Sequence, residues 1–232
     1  VGHRDLGKLL TYQGAFDEAE MELGISGRQS QQIDNKQGLC VNESHSALRG
    51  LMMGDAKAAL DAARRAWELA MQHAREQFPI ERDFVRAGWL IGAALTALAL
   101  DEDAQRGSIL DEAEHHLAEA LTRCRRINVV ETEPEILLSR ARWNRARGDN
   151  KEAVEHAQEA LAIANRCEYR LNQADIHIFL ARLALEAGDR QAAIHHAEIA
   201  QERAWCDGPP HSYRPDSEEA DRRLLQAETL PR

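Results

Sequence analysis

Three histidines, His116, His156 and His196, recur at intervals of 40 residues, and imidazole is the side chain that changes charge near neutral pH. Stacked in a row they could form a pH-sensitive ladder. The reading that the spacing favours is a structural position copied by duplication, with the adjacent His115 and His195 solvated. Cys206, Asp207 and His211 make the only tight cluster of metal-ligand types. Pro209 and Pro210 stand between them, so a turn with incidental polar residues is expected and a metal is not. A Cys–His nucleophile would need Cys167 beside His156 or His177. Helical spacing does not bring Cys167 and His177 onto one face, and no third group orients such a pair. The chain contains no phosphate-loop pattern, no His-Glu-x-x-His and no Cys-x-x-Cys. Neither catalysis nor a cofactor is expected.

The elements that carry these residues announce themselves by repetition. Ala-Arg-Gly-Asp-Asn-Lys-Glu-Ala at 146–153 is followed 40 residues later by Glu-Ala-Gly-Asp-Arg-Gln-Ala-Ala at 186–193. Gly148 and Gly188 suit the left-handed residue that ends one helix, and Asp149 and Asp189 the N-cap of the next. Glu152, three residues after Asp149, would complete a capping box. Taking the alanine five residues after each glycine as an anchor gives Ala19, Ala59, Ala113, Ala153 and Ala193, spaced by 40, 54, 40 and 40 residues. Gly14 and Gly54 precede the first two anchors in the same way, whereas Ser108 stands in that place before the third. Five helical hairpins with one long interval are predicted.

Composition agrees. Ala, Leu, Glu and Arg dominate, aromatics are 5% of the 232 residues, and little β-branched alternation competes with helix. A formal charge of −10 disfavours nucleic acid or an anionic membrane surface as partner. Four widely spaced cysteines read as reduced, mostly buried thiols of a cytoplasmic protein. No apolar run approaches membrane-spanning length. The opening Val-Gly-His-Arg runs at once into a helical pattern, which reads as a segment of something longer.

In chain order, one solenoid over 1–232 is expected, with units of about 1–32, 33–78, 79–127, 134–167 and 168–205, and a turn and capping helix over 206–232. Helices are predicted over 39–53, 55–77, 80–100, 109–126, 134–147, 150–166, 168–187, 190–204 and 216–227. The Gly-, Ser- and Gln-rich stretch 24–38 either carries the second helix onward or frays. Residues 101–107 read as a polar connection that helps absorb the long interval. Trp67, Trp89 and Trp143 are expected between helices, and Trp205 over the end of the last hairpin.

With a small residue expected twelve positions before each anchor (Gly7, Ala47, Asp101, Ala141, Ala181) and seven after it (Ser26, Ala66, Ala120, Ala160, Ala200), the chain resembles the tetratricopeptide repeat family in a version lengthened to about 40 residues. Asp101 departs from the pattern, which puts the register of the third unit in doubt. The resemblance implies an all-α, right-handed superhelical solenoid of antiparallel hairpins whose first helices line a concave face that holds a protein or peptide. It also implies concave positions 18, 15, 11, 8 and 7 residues before each anchor. In the fifth unit these are Asp175, Ile178, Arg182, Leu185 and Glu186; in the fourth, Glu135, Leu138, Arg142, Arg145 and Ala146. Arg142, Arg145 and Arg182 would form a positive strip suited to carboxylates through forked hydrogen bonds, unless each is paired with a neighbouring acid such as Glu186 or Glu135. In the second unit Val41, Ser44, Leu48, Leu51 and Met52, followed by Leu95 and Leu98 in the third, would make an apolar wall. The three repeated histidines would lie on second helices, away from that face.

The function expected is a protein-interaction scaffold or sensor array. Its long repeats and its ending, Trp205-Cys-Asp-Gly-Pro-Pro, also resemble the repeat arrays of bacterial multidomain signalling or effector proteins. The alternative is therefore a regulatory segment of a signal-transducing NTPase or protease-like protein, with further domains of the same parent chain as partners. A self-associating structural module is a third reading.

Overall fold

The computed structural model describes residues 2–100 and 105–229, and these form an all-α chain. The helices are α1 (Gly2–Tyr12), α2 (Phe16–Gln32), α3 (Lys36–Met53), α4 (Ala56–Glu76), α5 (Glu81–Leu98), α6 (Arg106–Arg126), α7 (Glu133–Arg147), α8 (Asn150–Arg166), α9 (Arg170–Glu186), α10 (Arg190–Trp205) and α11 (Arg214–Thr229). The stretch 24–38 resolves into the rest of α2, a turn and the start of α3. Helix α3 begins earlier than its apolar pattern because the Asn35 side chain accepts from Gly38 N and caps it. Asp101 and the polar connection around it lie outside the described residues up to 104.

Local chemistry fixes the turns. Gly14, Gly54, Gly148 and Gly188 have φ between 71° and 87°, the left-handed region where a side chain is penalised. Asp55, Asp149 and Asp189 then accept from the amides of Ala58, Glu152 and Ala192, each cap stabilising its helix by about 1 kcal/mol. Three of the four turns that lead from one hairpin to the next use a different solution. Asp34, Asn128 and Glu168 take positive φ there, so these left-handed residues carry no glycine to mark them in the sequence.

The five anchor alanines are fully buried. Two glycines show how closely the helices approach. A Cβ on Gly7 would lie 2.8 Å from Leu23 Cγ, and one on Gly92 would lie 2.6 Å from Leu117 Cγ. Leu23 and Leu117 each stand four residues after their anchors, so Gly92 does in α5 what Gly7 does in α1. This sets the register of the third unit. Gly7 precedes Ala19 by 12 residues, whereas Gly92 precedes Ala113 by 21; Ala47 follows Ser26 by 21 residues, whereas Gly92 follows Ala66 by 26. The fourteen extra residues thus divide into five before Gly92, where α4 is long, and nine after it. Leu95, expected on the inner wall, is instead core at 2% exposure. Counted from Gly92, the positions that the resemblance implies for the inner face in α5 would be Arg86, Trp89, Ala93, Thr96 and Ala97, of which Trp89 and Thr96 are buried, while Leu98 is half-buried.

The chain divides into two compact units: Val1–Thr11 with Ala15–Ser139, and Tyr12–Gly14 with Arg140–Arg232. In the first, Trp67 meets Phe84 edge-on at 5.2 Å, and Trp89 Nε1 donates to Ser139 Oγ at 2.8 Å. In the second, Trp143 is buried and Arg147 lies 4.9 Å over its ring. There α11 packs on α10 and α9, burying Ala220 against Ile178 and Ala200. Trp205 is half exposed and covers Gly208 in its own turn. Among the described residues no helix is long and apolar enough to cross a membrane. All four cysteines are free thiols; burial pushes Cys40 up to about 12 and Cys124 up to about 11.

Candidate functional site

In the second unit, the five charged candidates lie together on α7 and α9. Arg142 Nη2 donates to Asp175 Oδ1 at 3.0 Å. Arg145 grips Glu186 with a fork, Nε and Nη2 donating to Oε1 at 3.1 and 2.9 Å. Arg182 Nε reaches the same oxygen from one turn back at 3.3 Å. The arginines therefore meet carboxylates of their own unit. Burial pushes the Glu186 carboxyl up, but Arg145 and then Arg182 outweigh it and hold it below the usual range. Arg182 is lowered by burial and by the charges of Arg145 and Arg223.

The capping helix adds what the repeat register did not foresee. Asp216, at 7% exposure, has its Oδ2 buried without a hydrogen-bond partner. Burial raises its carboxyl well above the ordinary value; Asp175 and Glu219 add to the shift, and Arg142 opposes it. Arg223 pairs with Glu219 nearby. This face thus alternates acids and bases across α7, α9 and α11.

The first unit carries the other candidates. Leu48, Leu51 and Met52 are half-buried along one side of α3, while Val41 and Ser44 are buried beside them. His45 shares that side, three residues before Leu48. It is 8% exposed with Nδ1 unpartnered. Burial lowers it to about 3, and the charges of Lys8, Arg86 and Arg4 contribute. Asp83 is 3% exposed, 3.5 Å from Arg86 Nη1, and burial raises its carboxyl against the pull of Arg86, His73 and Arg4. Basic groups of α1 and α5, with Asp5 among them, therefore act on His45 beside the apolar strip of α3. Sequence reasoning missed this cluster because Arg86 enters the inner-face set only when Gly92 supplies the register.

The repeated histidines take three separate environments. His116 stacks edge-on against Trp67 at 5.9 Å. His156 accepts from Arg140 Nε at its Nε2 at 3.3 Å, so its Nδ1 carries the proton and donates to the Glu152 carbonyl at 3.0 Å. His196 Nδ1 meets His177 Nδ1 at 3.0 Å. His195 and His115 are exposed. Among the described residues no three His, Cys, Asp or Glu side chains gather as a metal would require.

Residues 132–204 match the family described as Tetratricopeptide repeat. No curated protein matches the chain. The crystal structure of BtubC (BKLC) from P. vanneervenii is similar at 16% identity and a TM-score of 0.54, over 94% of this chain and 90% of that one. At that identity the likeness concerns the fold, an all-α helical repeat.

Proposed function

With residues 132–204 belonging to the tetratricopeptide repeat family, whose repeats generally mediate protein–protein interaction, we propose that this chain is a non-catalytic scaffold that holds a protein or peptide on the inner face of its first helices, in the cytoplasm. The observation that carries the reading is the side of α3 in the first unit. Leu48, Leu51 and Met52 remain partly open there, beside a buried His45 on which Lys8, Arg86 and Arg4 act. An amphipathic segment with acidic residues flanking two or three apolar anchors fits such a strip: the anchors remove apolar area from water, and the acids answer the basic groups. In the second unit Arg142, Arg145 and Arg182 are engaged by Asp175 and Glu186, so they would receive a partner only by exchanging those carboxylates for its own. Arg86 and Arg4 are likewise engaged, by Asp83 and Asp5, so the first unit is preferred for its partly open apolar side chains.

A display library of random peptides, selected on the whole chain, tests this. Enriched binders should combine apolar and acidic positions, and Leu51→Glu or Arg86→Glu should weaken them by about tenfold or more. The triple reversal of Arg142, Arg145 and Arg182 should have the smaller effect. Binders that ignore the first-unit variants and are lost with the arginine reversal would move the seat to α7 and α9. A library that yields no binder would remove the reading.

A further inference from the structure

On α2, Asp17, Glu20, Met21, Gly24, Ile25 and Arg28 follow one another at helical spacing and line a shallow depression formed by that helix alone. Met21 is 68% exposed. Two places after the other anchors stand Asp61, His115, Glu155 and His195, so only this second helix puts an apolar side chain there. Gly24 is the second anomaly. The corresponding residues are Arg64, Ala118, Gln158 and Glu198, and a glycine inside a helix is unfavourable relative to any of them. Its own chain does not require it. A Cβ at Gly24 would meet only the Arg28 guanidinium, at an ordinary 3.5 Å, whereas at Gly7 or Gly92 it would collide. The place beside Gly24 therefore faces outward, covered only by the Arg28 guanidinium, whose pairing with Asp17 of a second copy would uncover it, and next to an exposed methionine.

The stripe is complementary to itself. If two α2 helices are laid antiparallel, Asp17 falls opposite Arg28, Glu20 opposite Ile25 and Met21 opposite Gly24. Each methionine then enters the gap left by the other glycine, and an opposite-charge pair closes each end of the contact. Glu20 keeps its intrachain partner Arg49 at 3.3 Å. We propose that this face of α2 joins two copies of the chain about a two-fold axis, the isologous arrangement in which each surface is its own partner. The occupant is a second copy rather than an unrelated helix because both the knob-and-gap and the charge order are palindromic about the same point.

Sedimentation equilibrium of the whole chain across the micromolar range tests the proposal, with circular dichroism to confirm folding. A monomer–dimer equilibrium is expected. Met21→Glu and Gly24→Leu should each weaken it by about tenfold or more, the second by filling the gap on an exposed surface. Asp17→Arg and Arg28→Asp should each weaken it, and the two together in one chain should restore it, since the end pairs are then reformed with their signs exchanged. A chain that stays monomeric throughout, or a dimer that ignores these variants, overturns the proposal; so does a charge exchange that fails to restore association.

Discussion

The Nδ1 atoms of His177 on α9 and His196 on α10 lie 3.0 Å apart, so one ring donates its proton and the other accepts it. Two protonated rings cannot share that contact, because both nitrogens would then be donors. Burial, then the charges of His196, His195 and Arg203, lowers His177 to about 4. Burial and His195 lower His196, with Asp189 opposing.

Stability should therefore fall on acidification. The unfolded histidines titrate near 6.5 and the folded pair below it, so across that interval the unfolded chain binds more protons and stability rises with pH. The urea midpoint is expected to drop between about pH 7 and about pH 5, with each differential proton contributing about 1.4 kcal/mol per pH unit. His177→Gln should reduce the dependence, leaving the part that comes from the buried His45. An unchanged slope in that variant would place its source elsewhere.

Asp216 predicts the opposite sign. Its folded carboxyl titrates above the unfolded value, so the folded state binds the proton more readily and stability is lost as pH rises through that interval. Asp216→Asn keeps the shape and removes the charge. It should raise the denaturation midpoint near neutral pH by the equivalent of roughly 1 kcal/mol or more and have little effect in acid. A lower midpoint at neutral pH would show that the carboxylate is satisfied after all.

Two glycine substitutions should separate cleanly. Gly92→Ala forces a Cβ within 2.6 Å of Leu117 Cγ and is expected to cost about 1–3 kcal/mol through overpacking. Gly24→Ala meets only the Arg28 guanidinium, at an ordinary 3.5 Å, and should stabilise the helix by up to about 1 kcal/mol. Thermal melts of the two variants at low protein concentration give the comparison. Equal effects would contradict the register assigned to α5.

Arg145→Lys tests the fork. Lysine keeps the charge but cannot present two parallel donors to Glu186. Because Glu186 is more than a third exposed, solvent screens the pair, and the expected loss is only about 0.5–1 kcal/mol. A double-mutant cycle with Glu186→Gln measures the coupling; additivity would mean the fork contributes nothing.

Much of the fold was legible because its causes are local. Gly-Asp turns at 148–149 and 188–189 specify a left-handed residue followed by a cap, and the anchor alanines specify close helix approach. The same turn logic failed to mark Asp34, Asn128 and Glu168, which take positive φ without a glycine; Asp and Asn enter that region more readily than other side chains, a weaker signal than glycine. The candidate site was half legible. Arg142, Arg145, Arg182, Asp175 and Glu186 do gather as the register implied, but pairing among them depends on which helix faces which, and that decides whether the strip is positive or neutral.

By itself the sequence determined most of the helices, the Gly-Asp caps, the duplicated hairpin and the five anchors, since each follows from residue type within one or two turns; the stretch 24–38 and the Asn35 cap were not among them. The tertiary structure decided the rest. It divided the extra fourteen residues around Gly92, because only the collision of a Cβ with Leu117 distinguishes one register from another. Arg86 was thereby brought toward His45, and Asp216 was buried beside Asp175. Such contacts join residues tens of positions apart, and their free energy depends on the burial and charge of neighbours that no local spacing encodes.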